Sequence, residues 1–152
     1  MEVYRLTRER FAKGLSGKGS SMMGARWNSV GVELIYTAPN RALAMAEVAV
    51  HLTLATMPSD YHMLTIFVPD DIELSIVVVS DLLSGWNEFP YSSSSQSVGD
   101  KFAANNHSCL LKVPSAVVQG EHNILINPKH KDFSRIKIVE TVKFPFDKRI
   151  FK

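Results

Sequence analysis

A single carboxylate stands where this chain has most need of an apolar side chain. The segment from Asn40 to Ala55 follows Pro39, stops before Pro58 and consists mostly of good helix formers, which predicts one helix of about sixteen residues. Leu43, Glu47, Val50 and Leu54 succeed one another at spacings of four, three and four, so they share one helical face. Met45, Val48, Ala49 and Leu52 on the other side are apolar as well, so the helix is expected to be largely buried with Glu47 in its inward stripe. An unpaired carboxylate in an apolar interior costs several kcal/mol, and it must find a partner, take up a proton or line a cleft. Two readings stay open. Glu47 forms a structural pair with Arg41 or His51, or it belongs to a functional site, where such groups are enriched.

The rest of the chain predicts an α+β domain around that helix. Val3–Leu6 and Leu34–Thr37 read as short strands, and residues 12–24, rich in Gly and Ser, read as a flexible loop. Leu64–Val68 and Ile72–Val79 are β-branched runs split by the turn Pro69-Asp70-Asp71. Ser92–Ser95 reads as a low-complexity loop and Ser97–Asn105 as a weak helix. Short apolar runs follow at Leu110–Val113, Ala116–Val118 and Ile124–Ile126, and a last strand at Arg135–Val142. Many short strands with one long helix and shorter ones give a single compact domain over 1–152 with a mixed sheet. Neither a βαβ rhythm nor a GxGxxG loop points to a Rossmann fold.

Charge is unevenly placed. Six Lys/Arg and one acid lie between Arg5 and Arg26, two basic residues and nine acids between Trp27 and Leu111, and eight basic residues and three acids after Asn127. This pattern suits a small anion such as a diphosphate gripped by the ends of the chain, or else ordinary solvated charge. It suits nucleic acid poorly, because no basic run alternates with aromatics. The lone Cys109 lies in an apolar run, as a buried structural thiol would. The five histidines show no metal-ligand spacing, so no metal is expected. No stretch resembles a signal peptide or a membrane span, and a cytoplasmic location is expected.

Five further residues carry possible chemistry. Arg26 follows Gly24, which lets backbone approach a ligand, and its guanidinium suits bidentate contact with phosphate; a surface-loop arginine is the plainer alternative. Tyr36 precedes the Glu47 helix and either stacks on a planar base or packs in the core. Tyr4 and Arg5 alternate across the first strand, each able to reach a pocket. Ser115 stands at a bend beside Pro114 with no Gly-x-Ser-x-Gly elbow around it, so it reads as a hydrogen-bonding group and not as a nucleophile.

Taken in order, Val3-Tyr4-Arg5-Leu6, Gly24-Ala25-Arg26-Trp27-Asn28, Tyr36-Thr37-Ala38, the Glu47 helix, Trp86, Gln96–Asp100, Val113-Pro114-Ser115-Ala116 and Asn123–Pro128 with His130 and Phe133 resemble the RES family, named for its Arg, Glu and Ser. The resemblance covers almost the whole chain. It departs from the family's habit at Ala25, often a second glycine, and at Phe102, often Trp. It implies an ADP-ribosyltransferase-like fold and a toxin of a type II toxin–antitoxin pair that degrades NAD⁺. NAD⁺ would be the substrate, with no separate cofactor. It further implies inhibition by a helix-turn-helix, Xre-type antitoxin and a homodimer within that complex. Carried over by motif, Glu47, Arg26, Tyr36 and Ser115 are the catalytic candidates, and Arg5, Tyr4, Arg26 and Asn127 the NAD⁺-binding ones. In that mechanism Glu47 stabilises positive charge on the ribose, Arg26 holds the diphosphate, Tyr36 stacks near nicotinamide, and Ser115 orients either the nicotinamide amide or the Glu47 carboxylate. Rival readings are a mono-ADP-ribosyltransferase acting on one protein, a non-catalytic antitoxin-binding module, and an RNase toxin, for which the acidic middle of the chain is a poor host.

Overall fold

The computed structural model describes residues 1–151. Seven strands form two sheets. In the first, β1 (Glu2–Arg8), β3 (Tyr61–Phe67) and β7 (Lys137–Lys143) run antiparallel in the order β1-β3-β7. The second has the order β2-β6-β5-β4, from β2 (Ile35–Thr37), β4 (Leu74–Ile76), β5 (Leu110–Pro114) and β6 (His122–Ile126), with β4 and β5 parallel and the other pairs antiparallel. The sheets meet at one point, where Tyr4 and Ala38 exchange two backbone hydrogen bonds of 2.8 Å.

Alternation along the strands builds three apolar layers. Val3, Leu64 and Ile66 of the first sheet pack between the sheets against Ile35, Leu110, Ile124 and Ile126 of the second. The opposite face of the first sheet presents Leu6 and Met63 to Leu43 and Ala44 of helix α2 (Arg41–Ala49). The opposite face of the second presents Leu111, Val113 and Leu125 to Trp27 and to Val98 and Phe102 of α3 (Ser93–Asn105). The short helix α1 (Lys18–Met23) completes the set. The expected α+β domain with a mixed sheet is the one formed.

Four local expectations are corrected. Residues 12–24 are not only loop: they contain α1, where Ser20 Oγ lies within hydrogen-bond distance of the carbonyls of Gly17 (2.9 Å) and Leu34 (2.7 Å), and Gly24, at φ 71°, ends the helix. The helix after Pro39 has nine residues, not sixteen. Past Val50 the chain turns away, because Thr53 and Thr56 bond each other and each other's backbone, an alternative to helical hydrogen bonds. Val50 and Leu54 are therefore exposed, and the buried stripe of α2 is short. Ser92 caps α3, accepting from Ser95 N, so the serine-rich stretch starts the longest helix instead of lying in a loop. Ala116–Val118 forms a turn and not a strand.

Cys109 is fully buried, and burial pushes its thiol up to about 11. The folded protein should resist alkylation by iodoacetamide at pH 8, with labelling followed by mass appearing only in denaturant. Asn40 caps α2 through its side chain, which accepts from Leu43 N at 2.8 Å. Asn40→Ala should cost about 1 kcal/mol of stability in urea denaturation.

Candidate active site

A cavity of about 690 Å³ opens where the two sheets meet α2, within the roughly 300–1,000 Å³ range of small-molecule sites. Tyr4 and Arg5 reach it from β1, Tyr36 and Thr37 from β2, Glu47 and Val48 from α2, and Arg26 from the segment after α1. The loop between β4 and α3 adds Asn87, Phe89 and Tyr91, and β6 adds Asn123. Glu47 is the one carboxylate in this wall.

Glu47 lies in the last turn of α2. Negative charge is disfavoured at that end of a helix dipole, so helix stability does not account for its presence. Its partner is neither Arg41 nor His51. Ser115 Oγ donates to Glu47 Oε1 at 2.7 Å, and Ser115 Oγ itself accepts from Val117 N at 3.1 Å and Val118 N at 3.0 Å. A serine hydroxyl has one proton and two lone pairs. All are used, so Ser115 has nothing left for a ligand. Of the two roles the resemblance left open, the bonds leave it that of orienting Glu47. Arg41 instead lies over the Tyr4 ring, 4.5 Å from its centroid, and His51 borders the cavity.

Two guanidiniums face this carboxylate's cavity. Arg5 is half-buried and, among the described residues, its guanidinium makes no ion pair or protein hydrogen bond; burial lowers its pKa from the ordinary arginine value. Arg26 spends Nη1 on the carbonyls of Trp86 at 2.8 Å and Glu88 at 3.0 Å, and lies 5.1 Å from the Tyr91 ring centroid. Burial lowers its pKa too, against the attraction of Tyr91 and Glu47. Cations desolvated without a carboxylate partner are costly, and an anion in the cavity would remove that cost. The fork of a guanidinium matches phosphate oxygens.

Tyr36 gives its ring to the wall, while its hydroxyl points into the fold. It donates to Asn28 Oδ1 at 2.5 Å and accepts from Trp27 N at 3.1 Å, and burial pushes its pKa well above the usual phenol value. Tyr4, Arg5, Arg26, Tyr36 and Glu47 thus converge, with Ser115 immediately behind Glu47. Asn127 does not join them. It is buried at the end of β6, where its amide donates to Asn106 Oδ1 and accepts from Lys129 N, so it ties chain segments together away from the cavity. The basic C-terminal residues do not grip the cavity either. Arg135 pairs with Asp71 and Asp132, and Arg149 with Asp147. Sequence reasoning missed Asn87, Phe89, Tyr91 and Asn123. Only Asn123 carried a signal, as a polar residue opening an apolar strand.

Comparison with known proteins identifies the family. The RES domain matches residues 2–147. The chain is 39% identical over 143 residues to the Prs ADP-ribosylating toxin of Sphingobium sp. (strain YBL2), covering 93% of this chain and 89% of that protein. It is 34% identical over 154 aligned positions to Toxin Res of Photorhabdus laumondii subsp. laumondii, covering 100% and 98%. Its fold is similar to a chain of the M. tuberculosis MbcT–MbcA toxin–antitoxin complex, with a TM-score of 0.77 at 21% identity over 95% of this chain and 84% of that one. With the family matched over residues 2–147, Arg26 and Glu47 lining one cavity and Ser115 bonded to Glu47 behind it, the chain belongs to the RES domain family and is a RES-domain toxin.

Proposed function

We propose that this toxin consumes NAD⁺ by breaking the bond between the nicotinamide nitrogen and the ribose. The observation that carries the reading is the wall itself: one carboxylate held by Ser115, opposite two arginines with no carboxylate partner. Arg5 and Arg26 bind the diphosphate, and the rings of Tyr36 and Tyr91 offer stacking surfaces. As the C–N bond lengthens, positive charge gathers on the ribose as in glycoside cleavage, and Glu47 stabilises it. Glycosidases need a second carboxyl to protonate the leaving group. Nicotinamide leaves a pyridinium as a neutral molecule and needs no proton, so one carboxylate suffices. With water as acceptor, its oxygen joins the anomeric carbon and a proton is released, giving nicotinamide and ADP-ribose. Phosphate in place of water gives the ADP-ribose phosphate ester.

A second reading has a protein side chain as the acceptor, and the Sphingobium relative, called an ADP-ribosylating toxin, favours it. Labelled NAD⁺ separates the two, because label ends either in free ADP-ribose or on protein. Under either reading the toxin acts in the cytoplasm and is restrained by an antitoxin of the helix-turn-helix class, with two toxin copies in the complex. The structural neighbour, a toxin–antitoxin complex, supports an antitoxin partner; the antitoxin's class, the two copies and the location are what the family resemblance implies.

Glu47→Gln keeps an oxygen that accepts from Ser115 and should fold normally. Its NAD⁺ turnover, followed by nicotinamide release, should fall by roughly 10²- to 10³-fold, and full activity in that variant would overturn the assignment. Arg5→Gln should act chiefly on KM for NAD⁺, because it removes a contact to the unreacting diphosphate.

A further inference from the structure

A guanidinium carried on a connecting segment binds an anion well only if the segment is already ordered, because ordering it on binding consumes affinity. In this protein the backbone from Ala25 to Ser29 is tied down largely by α3. Gln96 Nε2 donates to the Ala25 carbonyl at 3.0 Å, and Ser95 Oγ to the Arg26 carbonyl at 2.8 Å. Gly99 lies so close to the Trp27 carbonyl that a Cβ there would come within 1.6 Å of its oxygen. Asp100 accepts from Ser29 N at 2.8 Å and from Ser29 Oγ at 2.5 Å. On the far side Tyr36 holds Trp27 N.

Asp100 stands apart within this set because it brings a full charge. Among the described residues it pairs with no Lys or Arg, and each carboxylate oxygen is spent on Ser29. Hydrogen bonds to an ionised acceptor are roughly twice as strong as neutral ones. The cavity does not touch Asp100. Its two bonds close the segment three residues past Arg26, and the Ser95 bond closes it at Arg26 itself.

We propose that Asp100 is a positioning residue for substrate binding: acting through Ser29, and with Ser95 and Gln96, it fixes the 25–29 segment so that Arg26 stays aimed into the cavity before any ligand arrives. The proposal rests on the reading of Arg26 as the diphosphate-binding arginine.

The test compares Asp100→Ala, Asp100→Asn and Gln96→Ala in the full chain. An asparagine can accept from Ser29 N through Oδ1 and donate to Ser29 Oγ through Nδ2, so it is the conservative replacement. NAD⁺ turnover is measured together with the Arg26 Nε–Hε resonance in ¹⁵N spectra, with and without added inorganic pyrophosphate. Asp100→Ala should raise KM with little change in kcat, lowering kcat/KM on the order of 10²-fold, the scale of an ångström-sized misplacement. It should also broaden the Arg26 resonance, and Asp100→Asn should recover most of both. Gln96→Ala should shift KM and the resonance the same way by less, and it carries the test should Asp100→Ala fail to fold. A fall in Tm with KM and the Arg26 resonance unchanged would mark Asp100 as structural only and overturn the proposal, as would a loss confined to kcat. If the wild-type protein releases no nicotinamide, the functional reading fails by itself, and the pyrophosphate response of the Arg26 resonance still decides whether Asp100 positions that side chain.

Discussion

The hydroxyl of Ser115 has one proton to give, and the fold leaves a single place for it. Backbone N–H groups of Val117 and Val118 occupy the oxygen's lone pairs, so the proton must point at Glu47 Oε1. This fixes the carboxylate's orientation without a cation. It also joins the turn between β5 and β6 to α2 across 68 residues of sequence. A lysine or arginine in the same place would neutralise Glu47 and leave it little field to exert on a developing cation. A hydroxyl aligns the group and leaves its charge available to the cavity. That difference explains why a serine with no nucleophilic surroundings belongs beside the site's carboxylate.

The arginines follow the same logic with the opposite sign. Arg5 comes from a strand whose direction the first sheet dictates, and no acid is set against it. Arg26 is held by carbonyls, which orient a guanidinium without cancelling its charge. Glu47 and Arg26 are thus both oriented by neutral dipoles that leave their charges uncancelled. Such an arrangement is costly when empty and favourable when a ligand of matching charge pattern enters, as preorganised electrostatic sites are.

Much of this was legible in the residues. Glu47 stood out because a carboxylate in an apolar helical stripe has to be explained. Ser115 followed from a proline beside a polar residue, and Arg26 from a neighbouring glycine. What escaped depends on contacts distant in sequence. Helix α2 ends early because two threonines satisfy each other, which helix propensity does not register. Serines at 92 and 95 looked like low complexity, yet one caps α3 and the other holds the Arg26 carbonyl; composition does not tell a cap from a linker. Asn127 entered by resemblance to a motif alone, and nothing in its own sequence neighbourhood showed that it would tie buried chain segments together away from the cavity. Asn87, Phe89 and Tyr91 come from a long connection whose path is set by Arg26 and Trp27, and no periodicity announces it.

The two sheets share a single pair of backbone bonds, between Tyr4 and Ala38, and the cavity lies along that join. Elsewhere the halves adhere only through side chains. On the proposed reading, a dinucleotide in the seam would touch Arg5 on one sheet and Tyr36 on the other, bridging them and adding its own binding energy to the cohesion of the domain. Any molecule that fills this groove therefore rigidifies the toxin as it occupies it, and a vacant toxin is the looser, more easily unfolded form.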